Sequence, residues 1–235
     1  MPPTLPPTLQ PGDRVAVLSP SWCAPAHFPA LHEQAILQIT PAAASCDYGL
    51  SWDDPRSLTD RAPRESVPDQ WSWSGPATVA TGPTWGGNLE VLQWILAVGR
   101  DVLDVAAYQG CVLLLETSEE HPPPAEVYRM MRTLGERGLL GAAAAILVAR
   151  PAACERADDP GPAGRRAYRA AVAEQVSQAV QEYAAGVPVV LGVDFGHTSP
   201  QWVLPYGGSM TVDGANRALV AHYGPPRPRV VSECG

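Results

Sequence analysis

An α/β fold is predicted for this chain of 235 residues, and three observations lead to it. Short apolar runs of strand length alternate with longer segments whose apolar residues recur at helical spacing. Hydrophobic residues make up 46% of the chain and charged residues 17%, a balance typical of a globular protein with a real core. The 26 prolines and 21 glycines cluster in particular segments, which indicates long loops between packed elements.

The first α/β unit is predicted near the start of the sequence. Residues 14–19 (RVAVLS) have the composition of a short buried strand, and the apolar spacing of residues 29–39 predicts a helix. Residues 40–84 are rich in proline, aspartate, serine and tryptophan, and they predict a loop-like connection with at most a short strand near 77–80. A single parallel-type strand leaves unpaired edges, which invite association with another chain.

Helices and strands alternate regularly in the second half. Residues 89–98 predict a helix by their apolar spacing, with Asn88 as its N-cap. Residues 111–116 (CVLLLE) predict a buried strand that ends on a charge. Residues 124–138 predict an amphipathic helix that ends at Gly138 as its C-cap. The inward-facing residues of this helix are Val127, Met130, Met131 and Leu134.

Three further strands and one helix complete the predicted pattern. Residues 142–148 predict a strand, although their alanines would also suit a helix. A longer helix over 168–185 leads into a strand over 187–193, and 210–213 is predicted as the last strand. The region after Gly86 is therefore predicted to be a compact α/β domain.

The charge and the cysteines argue against several classes of protein. The net charge is -8, and no cluster of lysine and arginine is dense enough to follow a phosphate backbone, so nucleic-acid binding is not expected. The five cysteines are odd in number and lack the spacing of zinc ligands, so we expect neither a disulfide framework nor a metal site. We expect no cofactor. No signal peptide or membrane-spanning run is visible, and a cytoplasmic protein is expected.

Glu116 and His197 are the candidate catalytic residues. Each ends, or closely follows, an apolar strand and opens a polar loop, and open α/β sheets place their sites at the carboxyl ends of strands. A histidine in this position suits a general base, and a glutamate bound to its other ring nitrogen would fix its tautomer. The alternatives are a solvated or helix-capping carboxylate at Glu116 and a core histidine at His197.

Two other features are weaker signals. Asp194 lies three residues before His197, but no third ligand has suitable spacing, so a metal site is not predicted. The Gly86-Gly87 pair before a helix could bind an anion through free N–H groups, or could serve close packing of the backbone.

No nucleophile is identified. A strand–turn–helix elbow with a serine at its tip would supply one. Ser19, Ser21 and Ser45 do not stand in such a setting, and nothing near Cys46 would obviously lower the pKa of its thiol.

Five short motifs, in this order, resemble the LD-carboxypeptidase family of serine peptidases, including its microcin C self-immunity branch. They are LQPGDRVAVLSPS at 9–21, GGNL at 86–89, LLE at 114–116, DFGHT at 194–198 and LPYG at 204–207. The similarity is almost continuous from about residue 47 to residue 216.

The resemblance implies a Ser-Glu-His triad in which Glu116 and His197 are two of the three members. It implies cleavage of the bond to a terminal D-amino acid in murein peptides, or of related amides in peptide–nucleotide antibiotics. Family members have a flavodoxin-like domain that carries the serine and a smaller C-terminal α/β domain that carries the other two residues. We therefore expect a truncated flavodoxin-like remnant over 1–45, a loop-rich connector over 46–85, and the C-terminal domain over 86–235.

The chain departs from the family at the nucleophile. The family's Gly-Tyr-Ser-Asp elbow and its preceding Gly-Gly loop are not found in this sequence, as after an internal deletion. The expected function is an impaired LD-carboxypeptidase-like serine peptidase with a peptide or murein fragment as its partner. The alternatives are a non-catalytic peptide-binding protein and the product of a degenerate gene. A homodimer is one assembly that would cover unpaired strand edges.

Overall fold

The computed structural model describes residues 50–51, 71–99, 102–153, 160–199, 202 and 204–222. The strand predicted at 14–19, the helix predicted at 29–39 and the remnant predicted over 1–45 lie outside these residues. The fold is therefore described for the part of the chain that contains both candidate catalytic residues.

Strands and helices alternate through this part, and the predicted α/β class is confirmed. The helices are α1 (Leu89–Val98), α2 (Pro124–Glu136), α3 (Leu139–Ala142) and α4 (Gly161–Tyr183), with a short 3-10 helix at Val105–Tyr108. The strands are β1 (Leu50–Ser51), β2 (Ser72–Ser74), β3 (Val79–Asn88), β4 (Val112–Glu116), β5 (Ala145–Ala149), β6 (Val189–Val193), β7 (Thr198–Ser199), β8 (Ser209–Asp213) and β9 (Ala218–His222). None of the helices in the described ranges combines the length and apolar character needed to cross a membrane.

Seven of these strands form one sheet in the order β2-β6-β5-β4-β3-β8-β9. The four central strands, β3 to β6, pair in parallel. Strand β2 adds an antiparallel edge, the antiparallel strands β8 and β9 complete the other side, and β1 and β7 form a separate antiparallel pair. Because the central strands are parallel, their carboxyl ends lie at the same end of the sheet, which is where open α/β sheets place their sites.

Both faces of the sheet are covered by apolar side chains. Alternate residues of β4 point to opposite faces, which explains why all five are buried. Leu113 and Leu115 pack with the buried residues of helices α1, α2 and α4. Val112 and Leu114 belong to a second cluster, on whose border lie Trp71, Trp73 and Trp202. Apolar side chains are therefore buried on both faces of the sheet, behind the ends of its central strands.

Strand β3 corrects the prediction for the end of the 40–84 segment. It is ten residues long, whereas the sequence predicted a loop with a short strand near 77–80. Glycines caused the error, because glycine usually marks a turn. In β3 they permit close approach: a Cβ atom on Gly86 would lie 2.0 Å from the carbonyl oxygen of Leu114 in the neighbouring strand. This contact supports the packing interpretation of Gly86.

The remaining helix and strand boundaries agree with the sequence predictions to different degrees. Helix α1 has the predicted bounds, and the side chain of its N-cap Asn88 accepts a hydrogen bond from the Val91 N–H at 2.9 Å. The four residues predicted to face inward from α2 are all buried. The C-cap of α2 is Arg137, and Gly138 follows it directly in the left-handed conformation, with a φ of 74°, where it is also the N-cap of α3. Helix α4 starts at Gly161 instead of residue 168, and β9 was not predicted.

Helix α1 carries apolar residues on its outer side as well as its inner side. Leu89, Leu92 and Leu96 are buried against the sheet. Trp94 and Val98 are 61% and 76% exposed, and Val91 and Ile95 are exposed as well, so an apolar stripe at helical spacing faces outward.

Candidate functional site

Glu116 ends the central strand β4. The four residues before it are apolar and buried, so the chain leaves the core at this carboxylate and enters the polar loop that follows. Its side chain is only 11% exposed. A carboxylate so placed needs a polar partner, because burying an unpaired charge is costly.

His197 provides that partner. It lies four residues after the end of β6, in the loop that leads to β7. Its Nδ1 atom is 2.5 Å from Oε2 of Glu116, and its ring remains 30% exposed. The structure therefore brings the two predicted residues together, from parallel strands that flank β5 on either side. Their catalytic role stays a prediction.

Gly196 makes this contact sterically possible. Its φ is 84°, and a Cβ atom at this position would lie 2.8 Å from Oε2 and 2.9 Å from Cβ of Glu116. Any larger residue would therefore press on the carboxylate that His197 contacts. The glycine of the Gly-His-Thr motif thus serves the backbone conformation and the close approach to Glu116.

The electrostatic surroundings of His197 favour its charged form. Burial alone would lower the pKa of the ring, but the hydrogen bond to Glu116 and the negative charges of Glu116, Glu119 and Glu90 outweigh it. The net result is a pKa raised above the ordinary value of histidine. The Nε2 atom, on the outer side of the ring, lies 3.3 Å from Oε2 of Glu119.

Glu90 is a site residue that the sequence analysis missed. It lies in the first turn of α1 and is buried, and its Oε1 atom accepts hydrogen bonds from the backbone N–H and the hydroxyl of Ser118, at 2.9 and 2.7 Å. These bonds fix the start of the loop after β4. A glutamate in a first turn is common because it complements the helix dipole, so the sequence carried no distinguishing signal.

Asp194 fixes the beginning of the loop that carries His197. Its carboxylate accepts hydrogen bonds from the indole N–H of Trp71 at 3.0 Å and from the guanidinium of Arg150 at 2.9 Å. Its backbone carbonyl accepts from the N–H of Trp202 at 2.5 Å, and the two indole rings stack. Asp194 therefore connects the start of the loop to Trp71, Arg150 and Trp202 by hydrogen bonds. Within the described ranges, no group of three or more histidine, cysteine, aspartate or glutamate residues could hold a metal ion.

A cavity of about 320 Å³ lies elsewhere, between α4 and the ends of β5 and β6. Val148, Val172 and Leu191 contribute to its apolar walls, and Arg150 and Arg169 also line it. Neither Glu116 nor His197 lines this cavity. The candidate nucleophiles Ser19, Ser21, Ser45 and Cys46 lie outside the described residues.

A known protein family matches the segment of the chain in which Glu116 and His197 lie. The family described as LD-carboxypeptidase C-terminal domain matches residues 81–212, which is more than half of the 235 residues. The matched segment contains both Glu116 and His197.

Solved structures have a similar fold. An MccF-like protein from Streptococcus pneumoniae in complex with AMP matches with a TM-score of 0.56 and 22% identity, covering 83% of this chain and 58% of that one. The microcin C7 self immunity protein MccF in complex with aspartyl sulfamoyl adenosine matches with a TM-score of 0.55 and 18% identity, covering 80% and 50%. MccF in complex with glutamyl sulfamoyl guanosine matches with a TM-score of 0.55 and 19% identity, again covering 80% and 50%.

The chain thus spans only about half the length of these structures. The resemblance expected from the sequence motifs is confirmed at the level of the family by the matched segment and at the level of the fold by the solved structures. This protein belongs to the LD-carboxypeptidase family.

Proposed function

We propose that Glu116 and His197 are the acid and the base of an amide-hydrolysing site of the LD-carboxypeptidase type. The observation that carries this proposal is the 2.5 Å contact between Nδ1 of His197 and Oε2 of Glu116. A carboxylate that accepts the Nδ1 proton leaves the lone pair of the neutral ring on Nε2, where a base must act. The side chain of His197 is 30% exposed, so it is not enclosed by the protein.

The proposed reaction is acyl transfer through a hydroxyl nucleophile. Nε2 of neutral His197 accepts the hydroxyl proton as the oxygen attacks the amide carbonyl, and Glu116 stabilises the imidazolium that forms. The imidazolium then donates its proton to the leaving amine, and water releases the acyl group in a second step with the same proton transfers. In this proposal His197 is the base and Glu116 is the acid that orients it.

The proposed substrate is a peptide with a terminal D-amino acid, as in murein, or an aminoacyl–nucleotide amide. The second class is supported by the similar structures, since MccF has been solved with aspartyl sulfamoyl adenosine and glutamyl sulfamoyl guanosine. Because the chain spans about half the length of those proteins, substrate and activity are part of the proposal.

We further propose that hydrolysis by this chain is impaired. The resemblance leads us to expect a Gly-Tyr-Ser-Asp elbow with a Gly-Gly loop before it, and the sequence contains no Gly-Tyr-Ser-Asp segment, whereas Glu116 and His197 are both present. Loss of a nucleophile and of an oxyanion-hole donor lowers rates by orders of magnitude. Retention of the pair without the elbow also favours a second candidate function, peptide binding without cleavage.

Incubation of the purified chain with an L,D-linked murein tetrapeptide tests the proposal, with release of D-alanine as the measurement. We expect slow release that His197→Ala and Glu116→Gln abolish, whereas Glu120→Gln, at an exposed position in the same loop, leaves it unchanged. Release that survives His197→Ala would refute the role of His197. Saturable binding of the peptide without release would favour the second function.

A further inference from the structure

The imidazole of His197 lies between two carboxylates. Glu116 contacts Nδ1 from the inner side at 2.5 Å, and Glu119 approaches Nε2 from the outer side at 3.3 Å. The outer contact is the longer one, and its side chain is 38% exposed against 11% for Glu116. The Glu116 contact is therefore the stronger of the two, and the Glu119 side chain has more freedom to move.

The position of Glu119 is set by its loop. Ser118 is anchored by two hydrogen bonds to Glu90, and the backbone N–H of Glu120 donates to the Ser118 hydroxyl at 3.2 Å. Glu119 lies between these two anchored residues. Its Oε2 atom is buried and makes no hydrogen bond within the described part of the chain, so its nearby partner is the His197 ring.

We propose that Glu119 is a positioning residue of the site, which holds the outer nitrogen of His197 until the hydroxyl of a nucleophile displaces it. This inference rests on the proposed function, because it concerns the nitrogen that would act as the base. An imidazolium held at both ends carries a proton on Nε2 and cannot accept another. Before His197 can act, Nε2 must lose that proton to solvent, and the Glu119 carboxylate must move away.

Three carboxylates in the described ranges act on the charge of this ring. They are Glu116 at the end of β4, Glu119 in the following loop and Glu90 from the first turn of α1. Glu116 and Glu90 are buried and held by hydrogen bonds. Glu119 is the one among these three whose side chain is more than one-third exposed, and it is therefore the group that can leave.

A pH titration of the His197 ring signals by NMR tests the proposal without requiring activity. The chain has five histidines, and a His197→Gln spectrum assigns the signal. We expect Glu119→Gln to move the midpoint to lower pH, Glu119→Asp to move it less, and the control Glu120→Gln to leave it unchanged. An unchanged midpoint in Glu119→Gln, or an equal shift in Glu120→Gln, would overturn the proposal.

Failure of the positioning role of Glu119 and failure of the proposed hydrolytic function give different results. If the wild-type chain releases no D-alanine but Glu119→Gln still lowers the midpoint, the positioning role stands and the hydrolytic role fails. If the chain is active, Glu119→Gln moves the acidic limb of the kcat/KM profile to lower pH as well. A thermal melt of each variant confirms that the change does not come from unfolding.

Discussion

At the scale of single residues, the site is a histidine with a carboxylate close to each ring nitrogen. The sequence predicted Glu116 and His197, because each follows an apolar strand whose carboxyl end opens a polar loop. It did not predict Glu119 or Glu90, because glutamates in a loop or in the first turn of a helix are usually solvated. Their effect on His197 depends on how the assembled sheet brings the loops after β4 and β6 and the start of α1 near one another, which no local pattern encodes.

Gly196→Ala should disrupt the Glu116–His197 contact. The added Cβ would lie 2.8 Å from Oε2 of Glu116, and the residue would also adopt a φ of 84°, so we expect a loss of about 1–3 kcal/mol in the free energy of unfolding and loss of any activity. Gly207→Ala is the matched control, because its φ is 73° but a Cβ there meets nothing within 4 Å. Urea denaturation measures both, and equal losses in the two variants would contradict the steric explanation.

The stability of the protein should depend on pH through His197. The folded protein raises the pKa of this ring above its value in the unfolded chain, so charging the ring favours the folded state. This contribution is fully present below the unfolded pKa of about 6.5 and is lost as pH rises through the folded pKa. Urea denaturation of the wild type and His197→Gln from pH 5 to 9 should show their difference shrinking as pH rises. A difference that grows with pH would contradict the assignment.

At the scale of elements, periodicity predicted the helices better than the strands. The apolar spacing of α1 and the inward residues of α2 followed directly from the sequence, because helical amphipathicity is a local pattern. Strand β3 was missed because Gly82, Pro83 and Gly86 resemble a loop. Gly82 and Pro83 pair with β8, and Gly86 allows close approach to Leu114 of β4. The requirement for glycine comes from the neighbouring strand, which the sequence of β3 alone does not reveal.

Gly86→Ala and Gly87→Ala form a matched pair that tests this explanation. The two glycines have nearly equal φ values of 143° and 142°, so the cost of backbone strain is similar. A Cβ on Gly86 would lie 2.0 Å from the Leu114 carbonyl oxygen, whereas one on Gly87 meets nothing within 4 Å. Gly86→Ala should therefore lower the Tm by several degrees more than Gly87→Ala, as expected for a further loss of about 1–3 kcal/mol from overpacking. Equal melting temperatures would argue against close packing.

At the scale of the whole molecule, the chain has the C-terminal domain of its family and about half the length of the similar structures. Its family and α/β class could be predicted from motifs and alternation. The exposure of the outer face of α1 could not be predicted from the sequence, because it depends on contacts beyond the helix itself. Contiguous exposed apolar patches often mark sites of protein association, and we expect the stripe on α1 to be one.

Concentration-dependent association should therefore depend on Trp94, the largest residue of the stripe. We expect Trp94→Glu to lower the weight-average mass measured by sedimentation at high protein concentration, because a charge in an apolar contact is costly. Val79→Glu, at a position that is 63% exposed outside α1, is the control and should have no effect. A wild-type chain that stays monomeric at all concentrations would contradict this prediction.

The Glu116–His197 contact has a consequence for the study of folding. The two residues are 81 positions apart, and the chain between them forms α2, α3, β5, α4 and β6. Helices can form early from local contacts, but a contact of this separation requires the central sheet to be assembled. The ring signal of His197 should therefore serve as a kinetic reporter of late sheet assembly, distinct from the far-ultraviolet circular dichroism that reports the helices.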